Sequence, residues 1–176
     1  AARHGRLDVV VNNAGVMLNG PVEGAPLDEW ERMVDLNVKG LLYVAHAALP
    51  HLLRAAADEP RRVADLVNIS SVAGRVARLG SGVYNLTKHG VNAFSESLRQ
   101  EVTQRHVRVA LVEPGAVATE LVSHMRAESQ AGFQQRFADV KQLEAADIAE
   151  AIRFVVTRPR HMAVNEILIR PTEQQG

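Results

Sequence analysis

Residues 63–115 read VADLVNISSVAGRVARLGSGVYNLTKHGVNAFSESLRQEVTQRHVRVALVEPG, and this stretch decides the fold. It opens on Val63 to Ile69, which reads as a buried strand between the polar, proline-containing Asp58–Arg62 and the loop Ser70–Gly82. A helical period follows from Val83 to about Arg105, with Val91, Phe94, Leu98 and Val102 on one face. Val107 to Val112 then forms another buried strand, closed by Pro114-Gly115. Two strands joined by so long a helix imply a right-handed crossover and parallel pairing.

Working outward, Leu7 to Val11 is a valine-rich strand bounded by Gly5 and by Asn12-Asn13-Ala14-Gly15. Ala1 to Arg6 reads as the last turn of a helix with its glycine stop, so a natural start at Ala1 is not expected. Asp28 before Glu29-Trp30-Glu31 signals a helix N-cap, and Trp30, Met33, Val34, Val38, Leu41, Leu42 and Ala45 carry that helix to near Leu53. Beyond Gly115, a polar and partly helical excursion spans Thr119 to Leu143, within which Ala127 to Gln142 reads as a mobile flap. A helix opened by Asp147 continues through Ile148, Ile152, Phe154 and Val155, and Ile167 to Ile169 is the last strand. Alternating strands and helices predict one doubly wound α/β domain, without internal repeats or a linker to a second domain.

Composition narrows the function classes. Lysine plus arginine equals aspartate plus glutamate at 20 each, so net charge gives no reason to expect a nucleic acid or an anionic membrane as partner. No apolar run approaches the ~20 residues of a spanning helix. With no cysteine there is neither a disulfide framework nor a thiolate metal site, and the first residues carry no signal-peptide pattern; a cytoplasmic protein acting on a small molecule is expected. The seven histidines include no HExxH pair and no clustered carboxylate partners, so no metal site is predicted.

The chemistry concentrates in Tyr84 and Lys88, four residues apart and therefore on one helix face a turn apart. An ammonium beside a phenol favours the phenolate and draws its pKa toward working pH. An isolated pair of this kind reads more readily as a packed tyrosine with a solvated lysine; the surroundings argue otherwise. Asn68-Ile69-Ser70-Ser71 puts hydroxyls just past a strand's C-terminal end, where open α/β sheets bind ligands, and Asn12-Asn13-Ala14-Gly15 holds the equivalent position after the first strand. Thr119 suits a helix N-cap before Glu120.

The ordered set Asn12-Asn13-Ala14-Gly15, Asn37, Ser71, Tyr84-x-x-x-Lys88 and Pro114-Gly115 resembles the short-chain dehydrogenase/reductase family over nearly the whole chain. Ser71 stands thirteen residues before Tyr84, the family's usual spacing. The resemblance implies a Rossmann-like fold and hydride transfer between nicotinamide and a small carbonyl compound or alcohol. It implies Tyr84 as general acid and base, Ser71 binding the carbonyl oxygen, Lys88 holding the nicotinamide ribose and lowering the Tyr84 pKa, and Asn37 anchoring a water in the proton relay. Asn12, Ala14 and Gly15 would line the adenosine side, and Pro114, Gly115, Val117 and Thr119 the nicotinamide side. The tail Asn165 to Thr172 resembles NADP-preferring members acting on small aldehydes, ketones or hydroxy acids, with NAD as the alternative. The helices Asp28–Leu53 and Val83–Arg105 correspond to the pair through which members form homo-oligomers.

The family's glycine-rich phosphate turn is missing: Gly80-Ser81-Gly82 has Asn85 where a third glycine belongs and follows a loop rather than a strand. Residues 1–176 therefore read as the C-terminal portion of one domain lacking its first strands, ~60 or more residues that include the selector between NAD and NADP. An uncovered apolar edge at Leu7–Val11 and weak or no cofactor binding by this chain alone are expected. No GxSxG elbow surrounds Ser71 or Ser81, which argues against a serine hydrolase. A non-catalytic scaffold with the same fold is the competing reading, and the intact Ser71, Tyr84 and Lys88 weigh against it. Substrate and reaction direction are not legible.

Overall fold

The structure is a computed structural model that describes residues 4–175. The expected helix turn at Ala1–Arg6 lies partly outside the described residues; His4 and Gly5 form a turn, with Gly5 at φ +73°. Four strands, β1 (Val9–Asn12), β2 (Ala64–Ile69), β3 (Val107–Pro114) and β4 (Glu166–Ile169), pair in sequence order, all parallel. In register, Val11 faces Val67 and Val67 faces Ala110, so the three strands end at a common level.

The connections are α1 (Leu27–Val34), which passes through a π-helical segment Asp35–Gly40 into α2 (Leu41–Ala57), then α3 (Gly82–Val102), α4 (Ala127–Arg136) and α5 (Ala145–Val156). Strand residues alternate between two faces. Ala64, Leu66, Val107 and Val109 pack with Ala45, Leu52 and Ala56 of α2 and Leu98 of α3, whereas Val67, Ala110 and Val112 pack with Ile148 and Val155 of α5 on the other side. Helices on both faces of a parallel sheet make the doubly wound α/β, Rossmann-like fold expected from the alternation. The near-continuous Val, Leu and Ala content of β2 and β3 is what burial on both faces demands.

Three details differ from expectation. Asp28 lies inside the first turn of α1, where its charge suits the helix dipole, while Pro26 occupies the N-cap. The helical run continues to Ala57, past Leu53 and through Pro50, because its inward residues up to Ala55 and Ala56 are still covered by the sheet. Asp147 likewise sits in the first turn of α5, where it completes a capping box with the N-cap Glu144. The outer flank of β1 is only partly covered, with Val11 39% exposed.

A buried ion pair holds the N-terminal end of the sheet. Asp65 accepts from Arg108 Nε at 2.7 Å and Nη2 at 3.0 Å, and from Arg61 at 2.8 Å. The remaining Arg108 donors meet the carbonyls of Val156, Arg158 and Met162, tying the end of α5 and the approach to β4 onto β3. Removing one partner strands the other charge in the interior, which typically costs about 3–5 kcal/mol. Asp65→Ala should lower the urea unfolding free energy by that amount, and replacing both partners (Asp65→Leu with Arg108→Met) should recover much of the loss; a single substitution costing under about 1 kcal/mol would mean that the pair does not anchor the sheet.

Candidate functional site

The C-terminal ends of β1, β2 and β3 open onto one region, and α3 brings its first turns there. Ser81 precedes α3, whose inward face carries Tyr84, Asn85, Thr87 and Lys88, all buried. Lys88 Nζ donates to the Ile69 carbonyl at the end of β2, at 2.9 Å, and lies 5.7 Å from the centre of the Tyr84 ring. Tyr84 packs against Val16, Met17, Leu18, Met33 and Met125.

Ser71 follows directly on β2. Its hydroxyl caps the 3₁₀ turn Val72–Gly74 by accepting from Ala73 N–H at 3.1 Å, and donates at 3.3 Å to the Pro114 carbonyl. The second contact is long, which leaves this hydroxyl easily redirected toward another acceptor.

Burial pushes the Tyr84 phenol up to about 12, with the nearby Ser71 hydroxyl pulling weakly the other way. Burial also brings the Lys88 ammonium down from 10.5 to about 8. The expected lowering of the Tyr84 pKa by Lys88 is therefore not what this arrangement displays. The physical reason is desolvation, the largest cause at Tyr84 and the one at Lys88, which disfavours the charged form of both groups.

Asn37 sits in the π-helical segment, where an extra residue per turn widens the helix and redirects side chains. Its amide holds the chain after β1 at both ends: Oδ1 accepts from Val16 N–H and Nδ2 donates to the Val16 carbonyl, each at 2.8 Å, and Nδ2 also reaches Thr87 Oγ1 at 3.3 Å. The side chain is thus committed to positioning the loop that carries Gly15. A methyl group added at Gly15 would lie 3.4 Å from Asn37 Oδ1 and 3.8 Å from Lys88 Nζ, so this glycine keeps the approach to the lysine open.

The other sequence-selected residues fall into two groups. Asn12 spends its side chain inside the fold, donating to Asn68 Oδ1 at 2.8 Å, while Asn68 donates to Ser95 Oγ at 2.8 Å. Ala14 is exposed at the mouth of the site. On the opposite wall, Gly115 donates to the Ile169 carbonyl at 2.7 Å, and a β-carbon there would collide with Gln174, whose Oε1 accepts from Ala116 N–H. Val117 turns into the core beneath α5 and pairs with Leu143, closing the base of the 119–143 excursion. Thr119 caps the 3₁₀ turn Glu120–His124, accepting from Leu121 N–H at 3.4 Å.

Sequence reasoning missed a polar network behind the site. Ser70 Oγ donates to Asn92 Oδ1, and Asn92 Nδ2 donates to Glu113 Oε1 at 2.7 Å. Arg75 makes a bidentate contact to the fully buried Glu113 at 2.8 and 2.6 Å and also pairs with Glu166; these carboxylates hold its guanidinium above its ordinary range. A glutamate directly after the apolar run Val109–Val112 of a buried strand was the available signal. Among the described residues no three His, Cys, Asp or Glu side chains converge as a metal site would, and no helix is long and apolar enough to cross a membrane.

The chain as a whole is similar to known proteins. The family model described as short chain dehydrogenase matches residues 1–130, and the chain belongs to that family. It is 36% identical over 167 residues to an uncharacterized oxidoreductase of Staphylococcus aureus (strain USA300), covering 95% of this chain and 65% of that protein. Among solved structures, the closed form of serine dehydrogenase complexed with NADP+ superposes with a TM-score of 0.87 at 33% identity, covering 97% of this chain and 67% of that one. Serine dehydrogenase from Escherichia coli superposes with a TM-score of 0.80 at 31% identity, covering all of this chain and 69% of the other. The chain thus spans about two thirds of the length of its relatives.

Lys88 offers a stability test of its burial. Its folded-state pKa of about 8 lies below the ordinary 10.5, so between these values the unfolded chain binds more protons and the lysine's contribution to stability rises with pH. Lys88→Met should therefore be more stable than the parent near pH 7, by on the order of 3 kcal/mol, and that advantage should shrink as pH rises toward 10.5. Urea unfolding at several pH values measures it; a difference between the two that is flat with pH would show that Lys88 is not desolvated.

Proposed function

We propose that the protein is a nicotinamide-dependent oxidoreductase, NADP being the preferred cofactor and NAD the alternative, that interconverts a small carbonyl compound and its alcohol. The observation that carries this reading is the buried pair Tyr84 and Lys88 one turn apart at the end of β2, beside Ser71, in a member of the short-chain dehydrogenase family. The preference for NADP draws support from the similar serine dehydrogenase complexed with NADP+.

The residues present suit a nicotinamide ribose and ring. Gly15 leaves the approach to Lys88 free, and Lys88 uses a single hydrogen bond, to Ile69, so its ammonium has further protons for ribose hydroxyls. Pro114, Gly115 and Thr119 would flank the nicotinamide, with Val117 setting the backbone from beneath; Asn12, Ala14 and Gly15 would line the adenosine side, Asn12 through its backbone because its amide is bound to Asn68. When bound, the nicotinamide supplies or accepts the hydride at the substrate carbon.

For reduction, Tyr84 donates its phenolic proton to the carbonyl oxygen as negative charge develops there, and Ser71 donates a hydrogen bond to the same oxygen. The Lys88 ammonium stabilises the phenolate left behind and returns a proton to it. In oxidation the same groups act in reverse, the phenolate taking the alcohol proton. Asn37 serves by fixing Val16 and the mouth of the site, a role compatible with holding a relay water through its backbone. This chain would be the C-terminal portion of one domain whose remainder supplies the phosphate cradle. Exposed Tyr43 and Val44 on α2 and Leu86 on α3 support pairing of two copies in a homo-oligomer.

Tyr84→Phe in the full-length protein removes the transferable proton without changing the packing. Turnover should fall by roughly 10²–10⁴-fold while NADP affinity stays within a few-fold. Unchanged turnover of any alcohol or carbonyl compound by that variant would exclude Tyr84 as the acid and base.

A further inference from the structure

Residues 115–118, which leave β3, lie in no helix or regular strand, so their course is set by whatever holds their backbone. The Gly115 N–H donates to the Ile169 carbonyl at 2.7 Å, the Ala118 N–H to the Leu143 carbonyl at 2.8 Å, and the Ala116 carbonyl accepts from Leu143 N–H at 3.0 Å. Between these contacts stands the Ala116 N–H. Ala116 is buried, and a buried main-chain donor must find an acceptor. That acceptor is a side chain from the far end of the sequence, Gln174 Oε1, at 2.9 Å.

The tail is shaped to deliver this group. After β4, Pro171 is buried and the Gln174 N–H closes a turn onto the Pro171 carbonyl at 3.0 Å. The turn lays the Gln174 carboxamide against the bare α-carbon of Gly115: a β-carbon there would overlap Oε1 and stand 3.0 Å from Cδ, and the three atoms nearest to it all belong to Gln174. The space a side chain would take at Gly115 is thus the space the carboxamide fills. A methyl group at Gly115 would push the carboxamide off and strand the Ala116 N–H. The same stretch also carries the Pro114 carbonyl, which accepts from the Ser71 hydroxyl at 3.3 Å, so its placement reaches both sides of the site.

We propose that Gln174 is a positioning residue for the nicotinamide: through the Ala116 N–H, the C-terminal tail sets the backbone after β3 against which the ring rests. Gln174 touches neither cofactor nor substrate in this role and acts only through the segment it holds. The proposal rests on the oxidoreductase reading above, which puts Pro114 and Gly115 beside the nicotinamide, and adds a residue from outside the strands and helices that build the site. Hydride transfer depends on ångström-scale alignment of the ring, so a wall fixed by a side-chain acceptor is matched to that demand.

Calorimetric titration of the full-length protein with NADPH and with 2′-phospho-ADP-ribose, the same molecule without its nicotinamide, provides the test; NADH and ADP-ribose serve in the same way if the protein uses NAD. Gln174→Ala should weaken NADPH binding by roughly tenfold, the equivalent of one buried donor left unpaired. Binding of 2′-phospho-ADP-ribose should be unchanged, which also shows that the variant is folded. Gln174→Glu keeps an acceptor oxygen and should bind NADPH as the parent does. Gly115→Ala should reproduce the selective loss, and the double variant Gly115→Ala with Gln174→Ala should lose no more than either alone, because both remove one contact. Additive losses would overturn the proposal, as would equal weakening of the two ligands or unchanged NADPH binding by Gln174→Ala. Tighter NADPH binding by Gln174→Ala would overturn it too, since the carboxamide would then compete with the nicotinamide. If the parent binds neither NADPH nor NADH, the oxidoreductase reading itself falls, and the proposal with it.

Discussion

The site depends on one hydrogen bond, from the Lys88 ammonium to the Ile69 carbonyl. Ile69 ends β2, so its carbonyl is a strand-terminal acceptor that the parallel ladder leaves available, and a buried ammonium must find such an acceptor or lose its charge. With that contact made, the start of α3 is held against the sheet, and the residue one turn earlier, Tyr84, is set beside the hydroxyl that follows β2. Helix periodicity and strand register together leave little freedom in where the phenol stands.

Two polar assemblies brace this arrangement from opposite ends of the sheet. Asp65 and Arg108 hold the N-terminal ends of β2 and β3 and collect the carbonyls that lead into β4. Glu113, at the C-terminal end, binds Arg75 and Asn92 and through them Ser70, so the loop after β2 and the middle of α3 share a single anchor. The second assembly also reaches the site helix, where Ser70 Oγ donates to the Lys88 carbonyl at 3.4 Å. The effect of both is to make the strand ends rigid, which a reaction dependent on ångström-scale alignment requires.

Much of the fold was legible because burial imposes periods on sequence. Val63–Ile69 and Val107–Val112 are mostly apolar and bounded by turn residues, and α3 repeats its apolar positions with helical spacing, so the parallel crossover could be read directly. Asp28 misled because an acid near a helix start serves the dipole as well as a cap, and the end of α2 was missed because burial carries the helix through Pro50. Tyr84, Lys88 and Ser71 stood out by spacing. What no local pattern disclosed is long-range: the committed amide of Asn37 and the distant partners, Arg75 and Asn92, that Glu113 gathers. Each depends on which distant segment arrives, and Asn37 depends further on a π-helical turn that changes where its side chain points.

The central physical claim is that the sheet's end desolvates Tyr84 and Lys88 together, in an interior that opposes charge on either. The most direct test is an NMR titration of the protein with ¹³C at the tyrosine ζ and lysine ε carbons, Tyr84 and Lys88 being assigned through Tyr84→Phe and Lys88→Met. Ionisation of Lys88 near pH 8 and of Tyr84 only near pH 12 is the predicted result. A lysine that keeps its ordinary value near 10.5, with a tyrosine that ionises at or below its ordinary 10, would contradict the account.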